Sequence, residues 1–164
     1  RTYQLPGLIQ TFPLSVAEAY NQWLFHGPIF QAITSIAGMT ETDFVAEARP
    51  SNPQMALHAG ISGDWLLDPV VVDAALQMSI LWSRAQLDMT TLIARVKQFQ
   101  RFGSLSAQPV NCHLDISNDV GSRTLTIDIA FVDAQGKLVA LAEAVEFPYT
   151  EALNRLAGKE VYAF

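Results

Sequence analysis

The stretch Asp68-Pro69-Val70-Val71-Val72-Asp73-Ala74-Ala75-Leu76-Gln77 constrains this chain more than any other. Asp68 is a good helix N-cap, and Pro69 suits the first helical position, where its missing N–H costs nothing. The helix that follows is predicted to run from about Pro69 to about Leu87. Its residues, among them Val70, Val71, Ala74, Ala75, Met78, Ile80, Leu81 and Trp82, are apolar almost all round. Such a helix is expected to be buried on most sides rather than laid on a surface. Asp73 and Gln77 interrupt it and share a face, being four residues apart. An acid on a buried helix is costly unless it is paired, neutral or useful.

The flanking segments indicate what covers this helix. Ser15 is a candidate N-cap for a short helix, Val16 to Leu24, which His26-Gly27-Pro28 stops. Residues 29–38 read as a short turn or helix leading into a strand. Thr42 to Arg49 alternates, with Phe44, Ala46 and Ala48 on one side, and Pro50 to Gly63 reads as a loop. After the helix, Leu92 to Phe102, Val110 to Ser117, Thr124 to Asp133 and Lys137 to Phe147 all read as strands. Leu125, Ile127, Ile129 and Phe131 share one face. Asp133-Ala134-Gln135-Gly136 places glycine where a hairpin turn needs positive φ. Glu151 to Ala157 reads as a short terminal helix. An antiparallel sheet wrapped around one apolar helix satisfies this order; that is the hot-dog arrangement, an α+β fold, while periodicity alone supports only α+β with one buried helix. Residues 1–164 are expected to form one hot-dog domain, with 1–12 and 150–164 peripheral.

Composition excludes several classes of function. With a formal charge of −6 the chain offers no basic surface for nucleic acid. A single cysteine, Cys112, rules out an internal disulfide or a cysteine-rich zinc site. No apolar run reaches membrane-spanning length. The chain has no signal peptide and no initiator methionine, so it reads as a piece of a longer, cytoplasmic protein.

Two motifs carry a family resemblance. Phe25-His26-Gly27-Pro28-Ile29-Phe30-Gln31 resembles the aromatic-X-Gly-Pro-X-Phe-Gln segment in the second half of polyketide synthase dehydratase domains. Leu67 to Gln77 resembles the segment around their catalytic aspartate, with its Asp-X-X-X-Gln signature. Ala94 to Gly103 and the Asp133–Gly136 hairpin sit where that family places its later strands. The likeness covers about residues 15–148. The Asp-Pro before the helix is more similar to iterative synthases of the polyunsaturated-fatty-acid or enediyne kind. The His-X-X-X-Gly-X-X-X-X-Pro motif of the first half has no counterpart here, and His58-Ala-Gly-Ile-Ser-Gly does not match it.

The resemblance implies a double hot-dog that removes water, in a syn sense, from a 3-hydroxyacyl thioester carried on the phosphopantetheine of an acyl carrier protein. It implies no organic cofactor and no metal. It assigns Asp73 as the general acid toward the departing β-hydroxyl, and Gln77, one turn on, can hydrogen-bond either that carboxyl or the substrate hydroxyl. The base is a histidine on a partner hot-dog, in cis or in a second copy of the chain. His26, Gly27, Pro28 and Phe30 are implied to contact substrate, Gly27 through a backbone N–H to the thioester carbonyl. As a general acid Asp73 must hold a proton near neutral pH, which a dry aliphatic cage favours.

Plainer readings stand beside these. Asp73 can be a structural pair, and Asp68 a cap and nothing more. His58 and His113 have no visible partner. Phe30, Phe44, Leu76, Ile80, Phe99 and Phe131 are tunnel lining or ordinary core. Arg95, Lys97 and Arg101 are a carrier-protein contact or a solvated strand edge. Two rival functions remain at this level: a non-catalytic hot-dog that binds acyl thioesters or scaffolds a synthase, and a homodimeric hot-dog thioesterase or hydratase.

Overall fold

The computed structural model describes residues 2–7, 10–57 and 63–157. His58 lies outside the described residues. The long helix, α3 (Pro69–Leu87), begins and ends where its sequence predicts. Asp68 caps it, accepting the N–H groups of Val70 and Val71 at 2.9 and 3.2 Å. The same carboxyl takes the Ser51 N–H and hydroxyl, each at 2.7 Å, and is fully buried. Asp88 ends the helix in the left-handed region, at φ 51°.

Seven strands surround α3: β1 (Ile33–Met39), β2 (Asp43–Ala48), β3 (Thr90–Thr91), β4 (Arg95–Arg101), β5 (Val110–Asp119), β6 (Thr124–Val132) and β7 (Leu138–Thr150). The order in the sheet is β1-β2-β5-β6-β7, and the far edge of β7 is shared between β3 and β4. All pairings are antiparallel. The sheet curls so that Phe44, Ala46 and Ala48 of β2, Cys112 and Leu114 of β5, and Leu125, Ile127, Ile129 and Phe131 of β6 join the apolar side chains of α3 in one core. This is the expected hot-dog arrangement. It succeeds because both partners present period-matched apolar faces.

Two short helices complete the wrapping. The first, α1 (Val16–Gln22), starts with a reciprocal capping box between Ser15 and Glu18. The second, α2 (Pro53–Ala56), lies in the loop before α3. Polar groups on α3 fit the core because they bond to their own helix: Ser79 and Ser83 donate to the carbonyls of Leu76 and Ile80, at 2.6 and 3.1 Å. Trp82 donates to the Thr40 carbonyl at 3.0 Å.

The hairpin between β6 and β7 forms at Asp133–Gly136, with Gly136 at φ 76°. Further along the β6–β7 pairing the register slips between Ile127 and Ile129 of β6, and Ala144 of β7 sits at φ 48° with its N–H on the Asp128 side chain at 2.7 Å. A left-handed alanine costs about 1–2 kcal/mol, which glycine avoids at a smaller entropic cost. Ala144→Gly is therefore expected to raise the unfolding free energy by about 0.5 kcal/mol. Urea denaturation checks this, and a decrease in stability would show that the bulge is not strained.

The outer face of the sheet is not bare. The N-terminal segment crosses it, pairing Thr2 with Lys137 and Gln10 with Met39. Tyr3 covers Ala130, Val132 and Leu138 there. Its hydroxyl lies 2.6 Å from Nδ1 of His113, whose Nε2 lies 2.7 Å from Asp43. His113 thus has two partners, both far away in sequence.

Candidate active site

The predicted placement of Asp73 and Gln77 on one helix face holds. Gln77 is 1% exposed, yet its amide is fully engaged. Its Nε2 donates to Asp73 Oδ2 at 2.7 Å and to the Phe30 carbonyl at 2.8 Å. Its Oε1 accepts the Tyr20 hydroxyl at 2.9 Å, and Tyr20 in turn accepts the Ile33 N–H at 3.0 Å. Burial pushes the Tyr20 hydroxyl up to about 12, so it remains a donor across the physiological range. Tyr20, on α1, is a member of the site that sequence reasoning missed. An aromatic with a polar tip on a short amphipathic helix carries no signal that separates it from surface tyrosines.

His26 joins from the other side. Its Nε2 is 3.7 Å from Asp73 Oδ2, and its ring stacks on Phe25 with centroids 4.4 Å apart. Only 14% of the His26 side chain is exposed, against 32% for Asp73. Burial holds the imidazole below its ordinary value, and the nearby Asp73 only partly offsets this. Its Nδ1 is buried and has no hydrogen-bond partner among the described residues.

His26, Asp73 and Gln77 line a cavity of about 190 Å³, with Leu76, Ile80, Ile93 and Phe147 among its apolar walls. The cage around Asp73 is dry on the helix side and open on the cavity side, so it is less enclosed than the apolar helix alone implies. Of the residues implied to touch substrate, only His26 lines the cavity. Phe30 contributes its backbone carbonyl to Gln77. Gly27 and Pro28 form an exposed 3-10 turn, Pro28–Phe30, that sets this carbonyl in place. Gly27 has φ −70°, and a Cβ there would meet nothing within 4 Å, so neither backbone conformation nor crowding demands glycine.

The aromatic stripe divides. Leu76 and Ile80 line the cavity, whereas Phe44 and Phe131 are buried in the core and Phe99 packs against it. Arg95, Lys97 and Arg101 are exposed on β4, and Arg95 pairs with Glu146 at 3.4 Å. Asp68 stays a structural cap: all its contacts are to Ser51 and the first turn of α3. No group of three or more His, Cys, Asp or Glu able to hold a metal ion occurs among the described residues. No helix among them is long and apolar enough to cross a membrane.

Comparison with known proteins follows the same lines. No curated protein sequence matches the chain. Among solved structures, it is similar to the dehydratase domain from the CurJ module of the curacin polyketide synthase, with a TM-score of 0.66 and 20% identity over 84% of this chain and 50% of that one. The dehydratase domain of PpsC from Mycobacterium tuberculosis, solved in complex with C12:1-CoA, gives a TM-score of 0.65 at 19% identity over 92% of this chain and 56% of that one. The dehydratase domain of RzxB from Pseudomonas fluorescens gives 0.63 at 18%, over 82% and 48%. The chain thus spans about half the length of these structures, with which it shares the hot-dog fold. Residues 4–157 match the family model described as the polyketide synthase dehydratase N-terminal domain, and on that match the chain belongs to the polyketide synthase dehydratase family.

Proposed function

We propose that this hot-dog is the aspartate-bearing part of a dehydratase acting on a 3-hydroxyacyl thioester carried by an acyl carrier protein, with Asp73 protonating the departing β-hydroxyl. The observation that carries the reading is the Asp73–Gln77 pair at the wall of a cavity whose other lining is mostly apolar, with His26, Ser79 and Thr91 as further polar members. Gln77 has no freedom left. Its Nε2–H groups are committed to Phe30 and to Asp73 Oδ2, and its oxygen to Tyr20. With Oδ2 occupied as an acceptor, Oδ1 is the oxygen of Asp73 without a protein hydrogen bond among the described residues. A proton carried there meets the substrate and not the protein. The apolar walls, with Leu76, Ile80 and Phe147 among them, suit an acyl chain.

In the arrangement expected from the sequence, the α-proton goes to a histidine on a second hot-dog, in cis or in a second copy of the chain. The reaction requires no organic cofactor and no metal in this reading.

The rival functions separate in one assay. The chain is incubated with 3-hydroxybutyryl-pantetheine, with and without a histidine-bearing hot-dog. Enoyl-thioester absorbance and free thiol are followed together. Enoyl product is expected. Free thiol without enoyl product would make the protein a thioesterase, and neither product under both conditions would leave only a binding or scaffolding role.

A further inference from the structure

Two hydroxyls in the cavity have no part in the reading above. Asp73, with 32% of its side chain exposed, stands at the open end. Ser79 and Thr91 line the same cavity, and both are fully buried. Ser79 follows Asp73 by six residues on α3, an advance of about 9 Å along the helix axis. The cavity therefore runs inward along α3, from the carboxyl to the two hydroxyls.

Each hydroxyl has a single hydrogen, and each commits it to a backbone carbonyl. Ser79 donates to Leu76 at 2.6 Å and Thr91 to Pro148 at 3.0 Å. What is left on each oxygen is acceptor capacity, and neither accepts a hydrogen bond among the described residues. A methylene placed there leaves those lone pairs dry, and a ketone meets them oxygen to oxygen. An alcohol brings the hydrogen that both lack. Ser83 supplies the contrast: it makes the same kind of bond, to Ile80 at 3.1 Å, but lies outside the cavity lining.

We infer that Ser79 and Thr91 form a subsite for a hydrogen-bond donor on the tail of the acyl group, so that the cavity takes acyl groups bearing a second, distal hydroxyl. The inference rests on this cavity being the acyl site of the proposed dehydratase. The arm that tethers the substrate to a carrier protein has to leave by the open end, so the buried end receives the tail. Three bonds of an extended chain advance about 3.3–3.6 Å, so about 9 Å corresponds to roughly seven or eight bonds. Counted from the β-carbon at Asp73, about seven bonds reach the oxygen of a hydroxyl on C9.

The test reads binding of acyl groups that lack the 3-hydroxyl. These cannot eliminate, so the result does not depend on the role of Asp73. Decanoyl-, 9-hydroxydecanoyl- and 9-oxodecanoyl-pantetheine are titrated into the protein by calorimetry, with the 8- and 10-hydroxy isomers to cover one bond either way. The best-placed alcohol is expected to bind about threefold to tenfold more tightly than the ketone, the range of one neutral hydrogen bond. Ser79→Ala combined with Thr91→Val should abolish this preference and leave decanoyl-pantetheine binding no weaker. Ser83→Ala should keep the preference. Near-ultraviolet circular dichroism reports packing in every variant, and the two single variants stand in for the double if it loses its packing. No binding of any acyl group, an unchanged preference in the folded Ser79 and Thr91 variants, or an equal loss in Ser83→Ala would overturn the subsite. Turnover of 3-hydroxydecanoyl-pantetheine with a histidine-bearing hot-dog is followed alongside. Elimination without an alcohol preference removes the subsite alone, and an alcohol preference without elimination removes the dehydratase reading and keeps the subsite.

Discussion

Asp73→Asn is expected to lower dehydration of a 3-hydroxyacyl thioester by about 10²–10⁴-fold, the range of a general acid, while leaving the fold intact. Both halves of this expectation follow from geometry. Asparagine has the size of aspartate and keeps an oxygen for the Gln77 Nε2–H, now 2.7 Å from Oδ2, so the buried amide of Gln77 keeps its partner. Asparagine has no proton to give at neutral pH, so the departing hydroxyl leaves unassisted. The loss should fall on kcat more than on KM, because the proton moves only in the transition state. The measurement is steady-state enoyl formation by the dehydratase, with a thermal melt of the same sample. Undiminished kcat in a folded variant would return Asp73 to a purely structural role. A melt lowered by many degrees would show that the carboxyl belongs to the core rather than to the chemistry.

Asp68→Ala is expected to have the opposite profile, with a cost of about 3 kcal/mol in stability and no direct effect on the chemistry. The carboxyl, itself fully buried, caps the first turn of α3 and holds the N–H and hydroxyl of the half-buried Ser51. Alanine removes the cap and leaves the buried N–H groups of Val70 and Val71 and the half-buried donors of Ser51 unpaired, and each effect contributes about 1–2 kcal/mol. Trp65 is linked to the same cluster through its bond to Ser51 at 2.9 Å, so tryptophan fluorescence during urea unfolding reports the change. A shift below about 1 kcal/mol would mean that water enters and replaces the lost carboxyl. The two aspartates, five residues apart on one helix, therefore separate by role: one is sealed and fully bonded, the other faces open space.

Much of this was legible in the sequence because it depends on local chemistry. Both ends of α3 are written in Asp68-Pro69 and in the end of its apolar run. The β6–β7 hairpin follows from the alternation of Leu125, Ile127, Ile129 and Phe131 and from Gly136. What could not be read depends on distant contacts or broken periodicity. β1 hides because its register slips twice, between Ile33 and Ser35 and between Ile36 and Gly38, so no alternation survives in residues 33–39. β3 is two residues long. Val45, on the face of β2 that alternation marks as polar, is buried beside His113 on the side that Tyr3 crosses. No local rule reveals a cover supplied from more than a hundred residues away. The acid at the site was legible as an interruption in an apolar helix. The histidine beside it was visible only as the second residue of a turn motif, because its 3.7 Å approach to Asp73 depends on how that turn meets α3.

The hydrogen bonds behind Asp73 all point one way. An amide hydrogen at the rim of the sheet, on Ile33, feeds the Tyr20 oxygen, Tyr20 feeds Gln77, and Gln77 feeds the carboxyl. A phenol can swivel and a carboxamide can flip, but a peptide N–H cannot become an acceptor. The irregular edge strand is therefore the fixed end of the relay, and it orients every group after it. The carboxyl at the cavity wall thus takes its orientation from a piece of backbone forty residues upstream.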